Sequence, residues 1–185
     1  MNVLKSMLVL GACCAGGFAF ANPGVTPEGG VWVKRHYDLQ FMGFTSTYSC
    51  DGLAGKLKVL VKAAGARSDL KASPGACASG FGSPDQFANA SVTFYALVPS
   101  SKAKPDEANG PPDQGIWQTV EIAPRKPLEL QPGDCELVEQ FRDHVLPLFT
   151  RRNVDERITC IPHQQSGSSY FLRFEVFRPA NLRQP

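Results

Sequence analysis

The chain repeats itself. Laid against itself at an offset of 85 positions, Gly30-Val31-Trp32 returns as Gly115-Ile116-Trp117, and Cys50 returns as Cys135, so tryptophan and cysteine stand 18 positions apart in both halves. A second cysteine follows 27 positions later in the first half, at Cys77, and 25 later in the second, at Cys160. The runs "SVTFYALVP" and "YFLRFEVFRP" then match in pattern and stop at Pro99 and Pro179. Fixed self-similarity of this kind is what an internal duplication leaves behind. The first repeat takes residues 22–98 and the second 115–185. Between them lies a polar stretch, 99–114, rich in proline and glycine, which reads as a linker or a long surface loop.

Each half presents the same order of patterns. Val31 to Phe41 alternates, with Val31, Val33, Tyr37, Leu39 and Phe41 on one face and Trp32, Lys34, His36, Asp38 and Gln40 on the other, which is a half-buried strand. A helix over Asp51 to Ala64 then carries Leu53, Leu57, Leu60, Val61 and Ala64 at helical spacing, with Gly65 as its left-handed stop and Asp51 in the first turn, where the dipole favours a negative charge. The second half copies this with Leu137, Val138, Phe141, Val145 and Leu148 behind a cap at Asp134, and Pro147 should kink or end that helix near Leu146 because it has no amide hydrogen to donate. Two strands follow each helix, Asp69 to Cys77 with Ser91 to Val98, then Asp155 to Ile161 with Ser168 to Arg178. The expectation is an α+β fold, an internally duplicated β-α-β-β unit with its helices on one face of an antiparallel or mixed sheet.

The cysteines fit this unit. A helix from Asp51 to Ala64 is about 21 Å long and a strand from Leu70 to Cys77 about 26 Å, so the strand's end arrives beside the helix's beginning. The second half gives about 22 Å and about 23 Å by the same arithmetic. The expected bridges are therefore Cys50–Cys77 and Cys135–Cys160. A zinc site is the poorer reading, since such sites use close pairs of cysteines and these four are widely spaced. "YSCDGL", the helix after it, "AAGAR" and "DLKASPGAC" resemble a group of uncharacterised secreted proteobacterial proteins with a Y-S-C-D-G motif. The resemblance covers Tyr48 to Cys77 and implies no activity and no site residues.

The amino terminus sets the compartment. Lys5, an apolar run from Met7 to Phe20 and small residues at Ala19 and Ala21 form a secretory signal, residues 1–21, with cleavage before Asn22. Leu10-Gly11-Ala12-Cys13 offers a competing lipoprotein box, although the apolar run before Cys13 is short for it. The apolar stretch falls short of the ~20 residues that a membrane-spanning helix needs, so no transmembrane segment is expected after signal removal. Cleavage leaves 164 of the 185 residues, four of the six cysteines, and 18 basic against 17 acidic residues. An even number of cysteines in an exported chain reads as a disulfide framework. The near-neutral balance has no basic stripe, which argues against nucleic acid as a partner. The protein is expected in the periplasm or the medium.

Chemistry is sparse. His36, His144 and His163 fall in different elements, no G-x-S-x-G elbow accompanies a histidine, and "GACASGFGSP" opens no helix that would cradle phosphate. No cofactor and no metal is implied, and no catalytic residue is assigned. The alternative to a binding or envelope-structural role is a hydrolase using His36 with a nearby carboxylate. Asp51 and Glu136 occupy matching positions and read as first-turn charges on the helix dipole. If the apolar strand faces go to the helices, the opposite face carries Trp32, His36, Tyr95, Trp117 and Arg173, an aromatic-studded polar surface suited to a flat or extended ligand such as a protein or glycan of the cell envelope. The opposing reading has the tryptophans packed together or covered by the 99–114 loop.

Overall fold

The computed structural model describes residues 26–77 and 83–180, so the signal segment, Cys13 and the last five residues lie outside the described residues. Strand β1 (Glu28–Met42) leads into helix α1 (Cys50–Ala63), the short strand β2 (Lys71–Pro74) and strand β3 (Phe87–Pro99). The second half runs through β4 (Asp113–Ile122), α2 (Cys135–Gln140), β5 (Arg151–Ile161) and β6 (Gln164–Pro179). The six strands form one antiparallel sheet in the order β2-β3-β1-β4-β6-β5. Read inward from its two edges, the sheet gives the same unit twice, and the two units meet at β1 and β4.

The junction is a local dyad. Gly29 pairs with Gln114, its own counterpart at the offset of 85, and the contact extends only one residue to either side. The ladders match around it, with Gly30 opposite Pro99 and Gly115 opposite Pro179. The repeated glycine in front of each tryptophan has a steric cause here. A methyl group at Gly30 would stand 2.9 Å from the Phe177 ring and 3.0 Å from Leu97, and one at Gly115 would fall within the Phe177 ring itself. Glycine lets β1 and β4 meet at the dyad while Phe177 and Leu97 lie across them.

Alternation decides the faces as expected. Leu39, Phe94, Ala96, Val120, Ile122, Leu172, Phe174 and Val176 are buried in one cluster with the helix stripes Leu53, Leu57, Leu60, Val61, Leu137, Val138, Phe141 and Val145, and Val33 on the same strand face is buried as well. Val31 and Ile116, at the dyad, are only half-buried. The cluster is common to both halves: Phe149, which follows α2, stacks on Phe94 of β3 with ring centroids 4.8 Å apart. Both expected disulfides are present, Cys50–Cys77 with 6.2 Å and Cys135–Cys160 with 5.7 Å between Cα atoms.

Local differences from the sequence reading have identifiable causes. The strand expected over Asp69 to Cys77 is ladder-forming only over Lys71–Pro74, because Pro74 removes a donor and Gly75 draws against Asn89, donating its N–H to the Asn89 carbonyl at 2.7 Å. The cap of α1 is Ser49, whose Oγ accepts the Gly52 N–H at 3.0 Å, and Gly65 does end the helix, with φ at +94°. The second helix is α-helical only to Gln140, then passes through a π-helical turn over Phe141–Val145 and a tight turn over Leu146–Leu148 that holds Pro147. Asp134 stands at the start of α2 without capping it by its side chain. Its carboxylate instead accepts the Tyr48 hydroxyl at 2.5 Å, the Lys56 ammonium at 2.7 Å and the Gln131 N–H at 2.6 Å. Burial and the Asp134 charge both raise the Tyr48 pKa, so this phenol stays a donor.

Glu136 also departs from its expected role. It is 6% exposed, and its carboxylate receives the N–H groups of Phe44, Thr45 and Ser46 at 3.0–3.1 Å. It therefore clasps a loop of the other half, while its counterpart Asp51 is an exposed first-turn charge.

Candidate functional site

The sheet face away from the helices carries the five residues expected there, in three places. Trp32 lies opposite Leu97 and Trp117 opposite Phe177, and Trp32, Leu97 and Phe177 form a small second core at the dyad, with Tyr95 and Trp117 packed against it. Trp32 is only 5% exposed, whereas Trp117 is half-buried and donates its indole N–H to Glu28 at 3.1 Å.

Each ring system is already roofed by a cation. The guanidinium of Arg67 lies 3.8 Å from the Tyr95 ring centroid and 5.4 Å from that of Trp32, and Arg152 lies 4.1 Å from the Trp117 ring. Arg67 and Arg152 are themselves counterparts at the offset of 85, each 35 positions after its tryptophan. This duplicated stack went unnoticed in the sequence, although the same offset contains it. Cation–π contacts of this kind stabilise by about 0.5–1 kcal/mol at exposed sites.

His36 stands farther along the same face. Its Nδ1 is 2.9 Å from Thr93 Oγ1 and its Nε2 is 3.2 Å from Asp38 Oδ2. The carboxylate beside His36 is thus Asp38, two residues away on β1. A hydroxyl, an imidazole and a carboxylate in line have the groups of a hydrolytic triad, but they lie exposed on a flat strand surface and line neither of two depressions found elsewhere on the molecule. His144 stacks on Tyr37 and His163 meets Phe44 edge-on, so the three histidines do not converge.

The remaining expected residue, Arg173, belongs to a cleft of about 740 Å³ beside β4. Thr119, Val120 and Glu121 form one wall, the turn from Arg125 to Glu129 another, and Ala63 at the end of α1 closes it with Arg178. Glu121 binds Lys126 at 2.9 Å and Arg173 at 3.2 Å, and these two cations, Lys126 first, hold its carboxyl below the usual range. Leu128 stands 76% exposed at the rim.

Arg178 is the unusual member. It is 5% exposed, it has no ion pair among the described residues, and its Nε has no hydrogen-bond partner. Loss of hydration alone lowers its pKa. Its stem runs under Gly65, where an added methyl group would meet Arg178 Cβ at 3.1 Å. Arg178 lies two residues beyond Val176 in β6, on the helix-facing side. Leu172, Phe174 and Val176 mark that face, so the alternation puts an arginine where an apolar side chain belongs.

The second depression, about 450 Å³, holds Arg142, which is already bound to Asp143 and Glu156. Among the described residues no group of three histidine, cysteine or acidic side chains is arranged to hold a metal ion, and no helix is long and apolar enough to cross a membrane. Compared with protein-family models, curated proteins and solved structures, the chain matches none.

Proposed function

We propose that this is an exported binding module of the periplasm or medium, processed before Asn22, that takes a small ligand in the cleft beside β4. The observation that carries the reading is the cleft itself, a concavity of about 740 Å³ in which Ala63, Val120, Pro127 and Leu128 stand among charged side chains and a buried arginine. The kinship with secreted Y-S-C-D-G proteins suggested by Tyr48 to Cys77 agrees with export and adds nothing about the ligand. Two disulfides suit an oxidising compartment.

Two measurements test the reading. The intact mass of the exported protein should correspond to a chain beginning at Asn22, and an acylated chain beginning at Cys13 would replace the free module with a tethered lipoprotein. For the site, ligand-observed NMR with a fragment library should find binders whose signal disappears in Ala63→Phe, a substitution that fills the cleft from the end of α1, while the melting temperature stays near that of the natural chain. Turnover of ester or peptide substrates that His36→Ala abolishes, with no fragment bound in the cleft, would reverse the reading in favour of a hydrolase built on His36 and Asp38.

A further inference from the structure

The two halves differ in where an arginine enters the helix-facing side of the sheet. At the offset that superposes β1 on β4, Arg35 corresponds to Val120, and across the outer strands Val98 corresponds to Arg178. These are two places, since Arg35 and Val120 lie opposite Phe94 and Phe174, whereas Val98 and Arg178 lie opposite Val31 and Ile116, so each half has one arginine on its helix-facing side but at a different register position. In the first half the arginine is met from within the chain. The segment before β4 runs along β1, with the Asn109 N–H donated to the Trp32 carbonyl at 2.7 Å, and it brings the Glu107 carboxylate to 4.0 Å from Arg35. In the second half Arg178 has no carboxylate among the described residues.

The charge around Arg178 narrows what could complete it. Lys126 and Arg173 are committed to Glu121. Arg125 and Glu129, both exposed, also line the cleft and offset each other in charge, which leaves Arg178 as its one buried cation among the described residues, a match for a single negative charge. Arginine presents its donors as a planar fork that matches a carboxylate, and the match strengthens when water is excluded. Val120 and Ala63 beside it, with Leu128 at the rim, offer apolar contact to whatever carries that carboxylate.

We propose that the cleft binds an organic monocarboxylate with an apolar body, the buried and unpartnered guanidinium of Arg178 receiving the carboxylate. The proposal rests on the binding-module reading and specifies its ligand class. A purely structural role competes with it: Arg178 lies under Gly65 at the carboxyl end of α1, where a cation offsets the helix dipole.

Calorimetric titration with octanoate, 1-octanol, acetate and octyl phosphate separates the cases. Octanoate should bind at least tenfold more tightly than octanol or acetate, and no more weakly than octyl phosphate. Arg178→Gln should bring octanoate down to the level of octanol without lowering the melting temperature, because an unpaired buried charge has been removed. Arg178→Lys, a point charge in place of the fork, should fall between. Equal binding of octanoate and octanol, octanoate affinity untouched by Arg178→Gln, acetate binding as tightly as octanoate, or a tenfold preference for octyl phosphate would each overturn the proposal. If Arg178→Gln does not fold, Arg178→Lys decides, and octanoate affinity that is unchanged in it overturns the proposal. Fragments displaced by Ala63→Phe in a protein that ignores octanoate would sink the carboxylate while leaving the binding module standing. An absence of both would sink both.

Discussion

A chain with all four of Cys50, Cys77, Cys135 and Cys160 replaced by alanine should be unfolded at 37 °C. Each bridge closes a loop of 25–27 residues. In the chain-entropy treatment each such closure stabilises the native state by about 3.5 kcal/mol, so removing both costs about 7 kcal/mol. A domain of this size has about 5–15 kcal/mol in all, and much of that margin would be gone. Removing one pair should leave a folded protein with a lower urea midpoint. The shape of that curve tests the architecture. Because the Phe94–Phe149 stack and the Tyr48–Asp134 hydrogen bond join the halves, losing either bridge should weaken the whole molecule in one transition. Two separate transitions, one half melting while the other persists, would show that the halves do not share a core.

The bridges were legible in the sequence because they depend on lengths, and lengths follow from rise per residue once a helix and a returning strand are recognised. The same holds for the two faces of β1, since the period of two cannot be shifted without turning every side chain over. What was not legible depends on how the repeats meet. Nothing in "GVW" and "GIW" says that the glycines sit at a dyad under Phe177, because that contact joins residues from both halves. The break in α2 was anticipated at Pro147, yet the helix changes character six residues earlier, at Phe141. No proline or glycine marks that point.

The site divides along the same line. Arg173 was placed on the correct face by alternation alone, but its ion pair with Glu121 and the cleft beside it depend on the turn over Arg125 to Glu129, which has no repeat counterpart to argue from. Arg178 could have been found. The alternation that assigns Leu172, Phe174 and Val176 to the helices assigns it there too, and the offset of 80 between the last strands sets it against Val98. An arginine in an apolar register, opposite a valine in its own duplicate, is a departure that the duplication makes visible. Matching positions of two copies of one unit are not bound to one task.

Glu136 and Asp51 make that comparison measurable, because they occupy matching positions in the two helices and do different things. Replacing Glu136 by alanine leaves the N–H groups of Phe44, Thr45 and Ser46 without their acceptor in a loop that packs against α2. An unsatisfied buried donor costs about 1–3 kcal/mol, and three that regain some water should together cost about 3–5 kcal/mol. For a chain of this length that lowers the melting temperature by roughly 6–20 °C. Glutamine keeps one acceptor oxygen but turns an amide toward donors, so Glu136→Gln should fall between the natural chain and the alanine variant. Asp51→Ala, which removes only an exposed first-turn charge, should cost less than about 1 kcal/mol. Thermal unfolding of the three variants at one pH decides the matter. If Glu136→Ala costs no more than Asp51→Ala, the carboxylate is merely answering the helix dipole, and the clasp between the halves has no energetic weight.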